Sequence, residues 1–170
     1  MTAMEPCPLT PVFGVEISDI QLAYCSADFA ADVIRPLLLD HKLLVFRGQT
    51  LTPESHVRIA AAIGTPERFP GALADQPEVV RIAHGPAAPP TENIWHSDMS
   101  FREEPPMGAV LRSVSVPRSG GDTLFADMRY ALNRLPGEVR DFIEQLDACH
   151  DVGKCAPSSV APELRSQLRP

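Results

Sequence analysis

A histidine and an aspartate two positions apart, His96 and Asp98, are the residues of this sequence best suited to chemistry. On a β-strand, residues two apart project to the same face, so an imidazole and a carboxylate can point to one place. Together they make two thirds of the 2-His-1-carboxylate site typical of non-haem Fe(II) oxygenases. The pair alone is a weak signal, because the spacing arises by chance and a strand histidine is often a hydrogen-bonded core residue.

The residues around this pair extend the pattern. Residues 93–127 read NIWHSDMSFREEPPMGAVLRSVSVPRSGGDTLFAD, with a Trp-His-x-Asp block, Phe101, a Pro-Pro pair, an apolar segment ending in Val-Pro and a Gly-Gly-Asp-Thr turn. This pattern closely resembles the taurine dioxygenase-like (TauD/TfdA-type) family of Fe(II)- and 2-oxoglutarate-dependent dioxygenases. Weaker similarity extends back to about Leu9 and forward to His150.

The resemblance implies an activity, two cofactors and four site residues. The expected enzyme uses Fe(II), 2-oxoglutarate and O2 to hydroxylate a small organic substrate, and it releases succinate and CO2. His96 and Asp98 correspond to two of the three metal ligands and so to the catalytic centre. Thr123 corresponds to a hydroxyl that helps to hold a 2-oxoglutarate carboxylate, and Asn93 could orient cosubstrate or substrate. The alternatives are that Thr123 only begins a strand and that Asn93 forms a turn.

Two features of the family are absent from the sequence. The third ligand is a distal histidine, followed by an arginine that pairs with 2-oxoglutarate, and none of His41, His56, His84 and His150 fits that distal pattern. We therefore expect the N-terminal part of a longer dioxygenase, with a natural short protein as the alternative. A chain that truly ended at Pro170 should bind Fe(II) loosely and have little activity.

Composition limits the remaining function classes. The 170 residues are 44% hydrophobic, which favours one domain over residues 1–170, and the net charge of -7 argues against nucleic acid as a partner. Without a long apolar run or a signal-peptide pattern, we expect no membrane partner and a cytoplasmic location. The four cysteines lack C-x-x-C spacing and are expected to be free thiols. A homo-oligomer is compatible with the sequence.

Capping residues and apolar spacing predict the elements of the first half of the chain. A helix is expected from its cap at Ser26 through Leu38, with Pro36 kinking or splitting it. A second helix is expected from a cap at Thr52, with Pro53 in its first turn, to Gly64. Between them, the apolar run 43–46 predicts a central strand buried on both faces.

In the second half, apolar segments at 79–83, 107–116 and 123–126 predict further strands, the last two joined as a hairpin through Gly120–Gly121. Asp127 is expected to cap a helix, and Pro136–Gly137 to separate it from the next. Short strands with helices outside them favour an α+β fold of jelly-roll type. The resembled family has this double-stranded β-helix (cupin-like) with flanking helices, which we expect to be incomplete at the C-terminus here.

Two readings from other classes stay open. One is a non-catalytic jelly-roll binding module, or an inactive truncated fragment, that keeps His96 and Asp98 as a weak metal or anion site. The other is an assembly protein whose open sheet edge pairs with another subunit. Within the dioxygenase reading, taurine is disfavoured as substrate, because residues 67–70 read Glu-Arg-Phe-Pro where taurine dioxygenase has a sulfonate-contacting histidine.

Overall fold

A computed structural model describes residues 5–69, 71–85 and 94–151. In these residues it contains a three-stranded sheet, five short α-helices, one 3-10 turn and one π-helical turn. Their bounds are β1 Cys7–Pro8, β2 Val15–Ile17, the 3-10 turn Leu22–Tyr24, α1 Ala27–Phe29, the π-helical turn Ala30–Ile34, α2 Arg35–His41, β3 Leu44–Phe46, α3 Pro53–Ile63, α4 Met128–Asn133 and α5 Gly137–Ile143. None of the helices in the described ranges is long and apolar enough to cross a membrane.

The chain divides into two compact units. The first comprises the residues up to Ala83 together with Val110–Ala131, and the second comprises His84–Ala109 together with the residues from Leu132 onward. The three-stranded sheet and the main apolar core belong to the first unit, and His96 and Asp98 belong to the second. The expected single dioxygenase domain over residues 1–170 stays a prediction.

The sheet has β2 at its centre. This strand pairs antiparallel with β1 and parallel with β3. The run 43–46 does form the predicted strand β3, but the prediction that this strand is central and fully buried is wrong for the described residues. Leu44 and Phe46 pack on the core and remain only partly buried, because β3 lies at an edge of this sheet.

The first predicted helix is confirmed, and its hydrogen-bond pattern changes from a π-helical turn to an α-helix just before the proline. The Ser26 hydroxyl accepts a hydrogen bond from the Phe29 N–H at 3.1 Å and so caps the first turn. Pro36 lies in the first turn of α2, directly after the π-helical turn. Since proline has no N–H to donate, a wider turn before it accommodates the missing hydrogen bond. The helix ends at Lys42, which adopts a left-handed backbone with φ 66°.

The predicted second helix is confirmed as α3. Thr52 and Ser55 form a reciprocal capping box, in which the Ser55 N–H donates to the Thr52 hydroxyl at 3.2 Å and the Thr52 N–H donates to the Ser55 hydroxyl at 2.8 Å. The buried face of α3 then completes the core of the first unit. This core consists of Leu22, Ala30, Ile34, Leu51 and Ile59.

Two glutamine side chains hold this core to the sheet. The Gln49 carboxamide accepts from the Leu22 N–H at 2.9 Å and donates to the carbonyl of Ile20 at 2.6 Å. In return, Gln21 donates to the carbonyl of Gly48 at 2.8 Å. The loop after β3 and the segment after β2 therefore satisfy each other's backbone groups.

The predicted strands at 79–83, 107–116 and 123–126 are absent from the described residues, and those three predictions are wrong there. Apolar side chains are present at the expected positions but are exposed: Ile82 is 70% exposed, Val114 81% and Leu124 72%. A strand exists only where a partner supplies ladder hydrogen bonds, and no described segment pairs with these three. Within the described ranges, the β-strands are thus limited to those of the three-stranded sheet, β1, β2 and β3.

The predicted cap at Asp127 is confirmed. Its carboxylate accepts from the N–H groups of Arg129 and Tyr130 at 3.0 and 3.1 Å and begins α4. The same carboxylate pairs with the Lys42 ammonium at 3.3 Å, which ties α4 to the end of α2. The hydrogen bond from the Tyr130 N–H and the nearby Lys42 charge hold the pKa of Asp127 below its usual range.

This lowered pKa predicts an acid-sensitive contribution to stability. Because the pKa is lower in the folded state, the contribution is present above the usual aspartate pKa and is lost as the pH falls below about 4. We expect D127N to be less stable than wild type at pH 7 and the difference to shrink toward pH 3, as measured by urea unfolding at several pH values. In a K42Q background the difference at pH 7 should be smaller, and an unchanged difference would contradict the role of the ion pair.

A histidine of α3 forms a hydrogen bond with the chain segment that begins at Val110. His56 Nε2 lies 2.8 Å from the carbonyl oxygen of Val110, 54 residues along the chain and in the same unit. A carbonyl only accepts, so Nε2 carries the proton and donates. The contact connects α3 with the segment that begins at Val110, which no strand partner holds among the described residues.

We expect H56A to lower the free energy of unfolding by about 1 kcal/mol through the loss of this partly buried hydrogen bond. In H56Q, the terminal amide can reach the Val110 carbonyl as Nε2 does, so the loss should be less than half as large. Urea unfolding followed by circular dichroism measures both variants. Equal destabilisation in H56A and H56Q would mean that packing of the imidazole, not its hydrogen bond, is what matters.

Candidate functional site

His96 and Asp98 lie in a loop that leads into a turn, not in a strand. Residues 95–97 have no regular secondary structure and the turn begins at Asp98. Met99 has a left-handed backbone with φ 52°, and the Arg102 N–H donates to the Met99 carbonyl at 3.0 Å. The prediction that a strand places the pair is therefore wrong. A left-handed residue directly after Asp98 reverses the chain where a strand would have continued.

The two side chains nevertheless meet. His96 Nε2 lies 3.1 Å from Asp98 Oδ1, and the other ring nitrogen, Nδ1, lies 3.0 Å from the carbonyl oxygen of Ile94. Both side chains are half exposed, at 52% for His96 and 62% for Asp98. The expectation that an imidazole and a carboxylate converge on one place thus agrees with the geometry, although a turn and not a strand brings them together.

The contact with Ile94 decides which nitrogen faces the aspartate. A backbone carbonyl can only accept a hydrogen bond, so Nδ1 carries the proton and donates to it. In the neutral imidazole, Nε2 then presents a lone pair toward the Asp98 oxygen, which also carries lone pairs. Such a contact is favourable only when a proton or a metal cation lies between the two atoms. A ring nitrogen bound to a backbone carbonyl is also the usual arrangement behind a metal-ligating histidine.

The donor set and its spacing fit a divalent transition metal. Imidazole nitrogen and carboxylate oxygen are ligands of Fe(II). Ligand bonds of about 2.1 Å that meet at a right angle separate neighbouring donor atoms by about 3.0 Å. The observed 3.1 Å between Nε2 and Oδ1 is close to this value. In the described ranges, no third His, Cys, Asp or Glu side chain joins the pair to make a cluster of three.

The other two predicted site residues are not brought to this pair by any described contact. Thr123 belongs to the first unit, where it is exposed and follows Gly120 and Gly121, both with positive φ. Among the described residues no turn or hairpin forms at these two glycines, so the predicted hairpin through Gly120–Gly121 is wrong there. Asn93 lies outside the described residues, so its role stays a prediction.

A second contact at this turn involves residues that the sequence pattern did not single out. His150 Nδ1 lies 2.9 Å from the Ser100 hydroxyl, within the second unit. Sequence reasoning placed His150 beyond the last helix without a role. No local signal connects two residues 50 positions apart. The only sequence signal for this pair is that Ser100 lies two residues after Asp98.

The remaining reactive groups add no further site in the described residues. Arg68 pairs with Glu78 at 3.3 Å. Cys7, Cys25 and Cys149 are free thiols as expected, and Cys155 lies outside the described residues. Burial raises the pKa of the Cys25 thiol, and the charge of Arg58 partly opposes this effect.

Comparison with known proteins identifies the family. A model of the "Taurine catabolism dioxygenase TauD, TfdA family" matches residues 7–167. The alpha-ketoglutarate-dependent 2,4-dichlorophenoxyacetate dioxygenase of Cupriavidus pinatubonensis is 34% identical over 162 residues, which cover 84% of this chain and 56% of that protein. The alpha-ketoglutarate-dependent sulfate ester dioxygenase of Pseudomonas putida is 33% identical over 145 residues, covering 84% and 48%.

A solved structure gives the same result. The crystal structure of a taurine dioxygenase from Burkholderia xenovorans superimposes with a TM-score of 0.71 and 28% identity, covering 84% of this chain and 51% of that one. The chain thus spans about half the length of these relatives. A family match over residues 7–167, together with relatives that share about a third of their aligned residues, means that this chain belongs to the TauD, TfdA family of dioxygenases.

Proposed function

We propose that this chain carries the metal-binding turn of an Fe(II)- and 2-oxoglutarate-dependent dioxygenase that hydroxylates a small organic substrate. The observation that carries the proposal is the 3.1 Å approach of His96 Nε2 to Asp98 Oδ1, with Nδ1 bound to the Ile94 carbonyl. The relatives are named as alpha-ketoglutarate-dependent dioxygenases, which supports the reaction class. The activity is proposed for the dioxygenase that contains this segment, and the 170-residue chain alone is expected to bind Fe(II) more loosely and to have little activity.

In this proposal His96 and Asp98 hold the iron. The Nδ1–H···O bond to Ile94 keeps the ring from turning and leaves the Nε2 lone pair for the metal, while the Asp98 carboxylate supplies negative charge. When bound, Fe(II) with 2-oxoglutarate supplies oxidising chemistry in which O2 is consumed, succinate and CO2 are released and the substrate is hydroxylated. The Thr123 hydroxyl would donate to a 2-oxoglutarate carboxylate, and Asn93 would help to orient cosubstrate or substrate.

The double-stranded β-helix belongs to the same proposal. A related taurine dioxygenase structure superimposes with a TM-score of 0.71 over 84% of this chain, which supports a shared fold.

The names of the relatives support a class of substrate. They act on 2,4-dichlorophenoxyacetate and on sulfate esters, which are small organic anions. We propose a substrate of this class for the present chain. Succinate release with phenoxyacetates, alkyl sulfates and sulfonates would test it, and taurine should be a poor substrate.

Anaerobic titration with Fe(II) in the presence of 2-oxoglutarate tests the metal site. We expect wild type to develop the visible charge-transfer band of a chelated Fe(II) complex. D98N keeps the size of the side chain but loses its charge, and H96A loses the nitrogen ligand. Each should weaken Fe(II) binding by about tenfold or more, since even indirect partners of a metal site contribute that much.

The matched control for this titration is H84Q, which replaces an exposed histidine of the same unit. It should bind Fe(II) as wild type does. If H84Q and H96A bound Fe(II) equally, the metal would not be held where we propose. Absence of the band in wild type at high Fe(II) and 2-oxoglutarate would overturn the proposed function.

The role of Thr123 has its own test. T123V keeps the shape of the side chain and removes the hydroxyl, whereas T123S keeps the hydroxyl. A hydrogen bond to a charged group contributes about 1.5–3 kcal/mol, so T123V should weaken 2-oxoglutarate binding by roughly tenfold or more. T123S should lie within about threefold of wild type by the same reasoning. Isothermal titration of 2-oxoglutarate into the Fe(II)-loaded chain measures both, and equal affinities in T123V and T123S would contradict the assignment.

A further inference from the structure

The turn that carries Asp98 is connected to a distant part of its own unit. Ser100 lies two residues after Asp98 and is partly buried, and its hydroxyl meets His150 Nδ1 at 2.9 Å. His150 follows α5, so the contact spans 50 residues of sequence. We call this pair the Ser100–His150 bridge.

The turn itself contains a residue with an unfavourable backbone conformation. Met99 lies in the left-handed region with φ 52°, which is unfavourable for a residue with a side chain. Within the turn, the Arg102 N–H donates to the Met99 carbonyl at 3.0 Å. Asp98 sits directly before this strained residue. A change in the backbone at Met99 would therefore move the Asp98 carboxylate away from His96.

We propose that Ser100 and His150 are positioning residues that keep the Asp98 carboxylate in place to bind a divalent metal with His96. The inference rests on the proposed function and adds to it a pair of residues outside the metal ligands. The bridge connects the segment after α5 to the turn at Ser100, on the C-terminal side of Asp98, whereas His96 lies on its N-terminal side. Its loss would leave the ligands in the chain but would let the turn open.

Side-chain geometry offers matched variants. In histidine, Nδ1 is bonded to Cγ, and the carboxamide of asparagine places a polar atom at the same distance from the backbone. H150N can therefore keep the bridge, whereas H150Q extends its amide one bond further, and H150A has no polar atom. In the same way S100T keeps the hydroxyl that S100A removes.

The first measurement is Fe(II) affinity, obtained by anaerobic titration of the full 170-residue chain in the presence of 2-oxoglutarate. S100A and H150A should weaken Fe(II) binding by roughly tenfold, as expected for groups that orient a ligand. S100T and H150N should remain within about threefold of wild type, and H150Q should behave like H150A.

The second measurement needs no metal. Amide hydrogen exchange of residues 98–102 in the metal-free chain reports how often the turn opens. Exchange at Arg102 should be faster in H150A than in wild type and should return toward the wild-type rate in H150N. If S100A failed to fold by circular dichroism, the comparison of H150A with H150N would still test the bridge.

The outcomes separate this inference from the proposed function. Wild type that binds Fe(II), together with H150A of equal affinity and equal exchange at Arg102, would overturn the inference alone. Wild type that binds no Fe(II) would overturn the proposed function and with it the positioning role. Weak binding in both H150A and H150N would also count against the bridge, because the polar atom at the Nδ1 position would then be irrelevant.

Discussion

The hydrogen bond from His96 Nδ1 to the Ile94 carbonyl is the constraint on which the candidate site depends. It fixes the proton on one ring nitrogen and turns the other toward Asp98 at 3.1 Å. Without it the ring could rotate, and either nitrogen could face solvent. The backbone of residue 94 thus prepares the imidazole before any ligand arrives. This preparation uses only local atoms, so it needs no distant part of the chain.

The features that the sequence predicted well are those encoded by neighbouring residues. The caps at Ser26, Thr52 and Asp127 are confirmed, because a cap is a contact between residues two or three apart. The π-helical turn directly before Pro36 is likewise a local effect, since proline acts on its own turn. Family membership is confirmed by the match over residues 7–167, because the motif around His96 is contiguous in sequence.

The features that failed depend on partners far away in sequence. The alternation at 107–116 predicts a half-buried strand, but alternation cannot supply the second strand that a ladder needs. Both histidines with long-range contacts were missed as well: His56 binds the Val110 carbonyl and His150 binds Ser100. In the site, residue types alone pointed to the pair His96 and Asp98, but the prediction that a strand orients them is wrong. The left-handed Met99 has no signature in the sequence, because methionine rarely adopts that conformation.

Electrostatic attraction between His96 and Asp98 is too weak to explain why their side chains meet. Both are more than half exposed, and exposed ion pairs contribute only about 0–1 kcal/mol. Placing Met99 in the left-handed region costs about as much or more. Two further hydrogen bonds contact this segment: His96 Nδ1 donates to the Ile94 carbonyl, and the Ser100 hydroxyl meets His150 Nδ1. If the turn holds iron as proposed, its geometry depends in part on hydrogen bonds from residues that are not metal ligands.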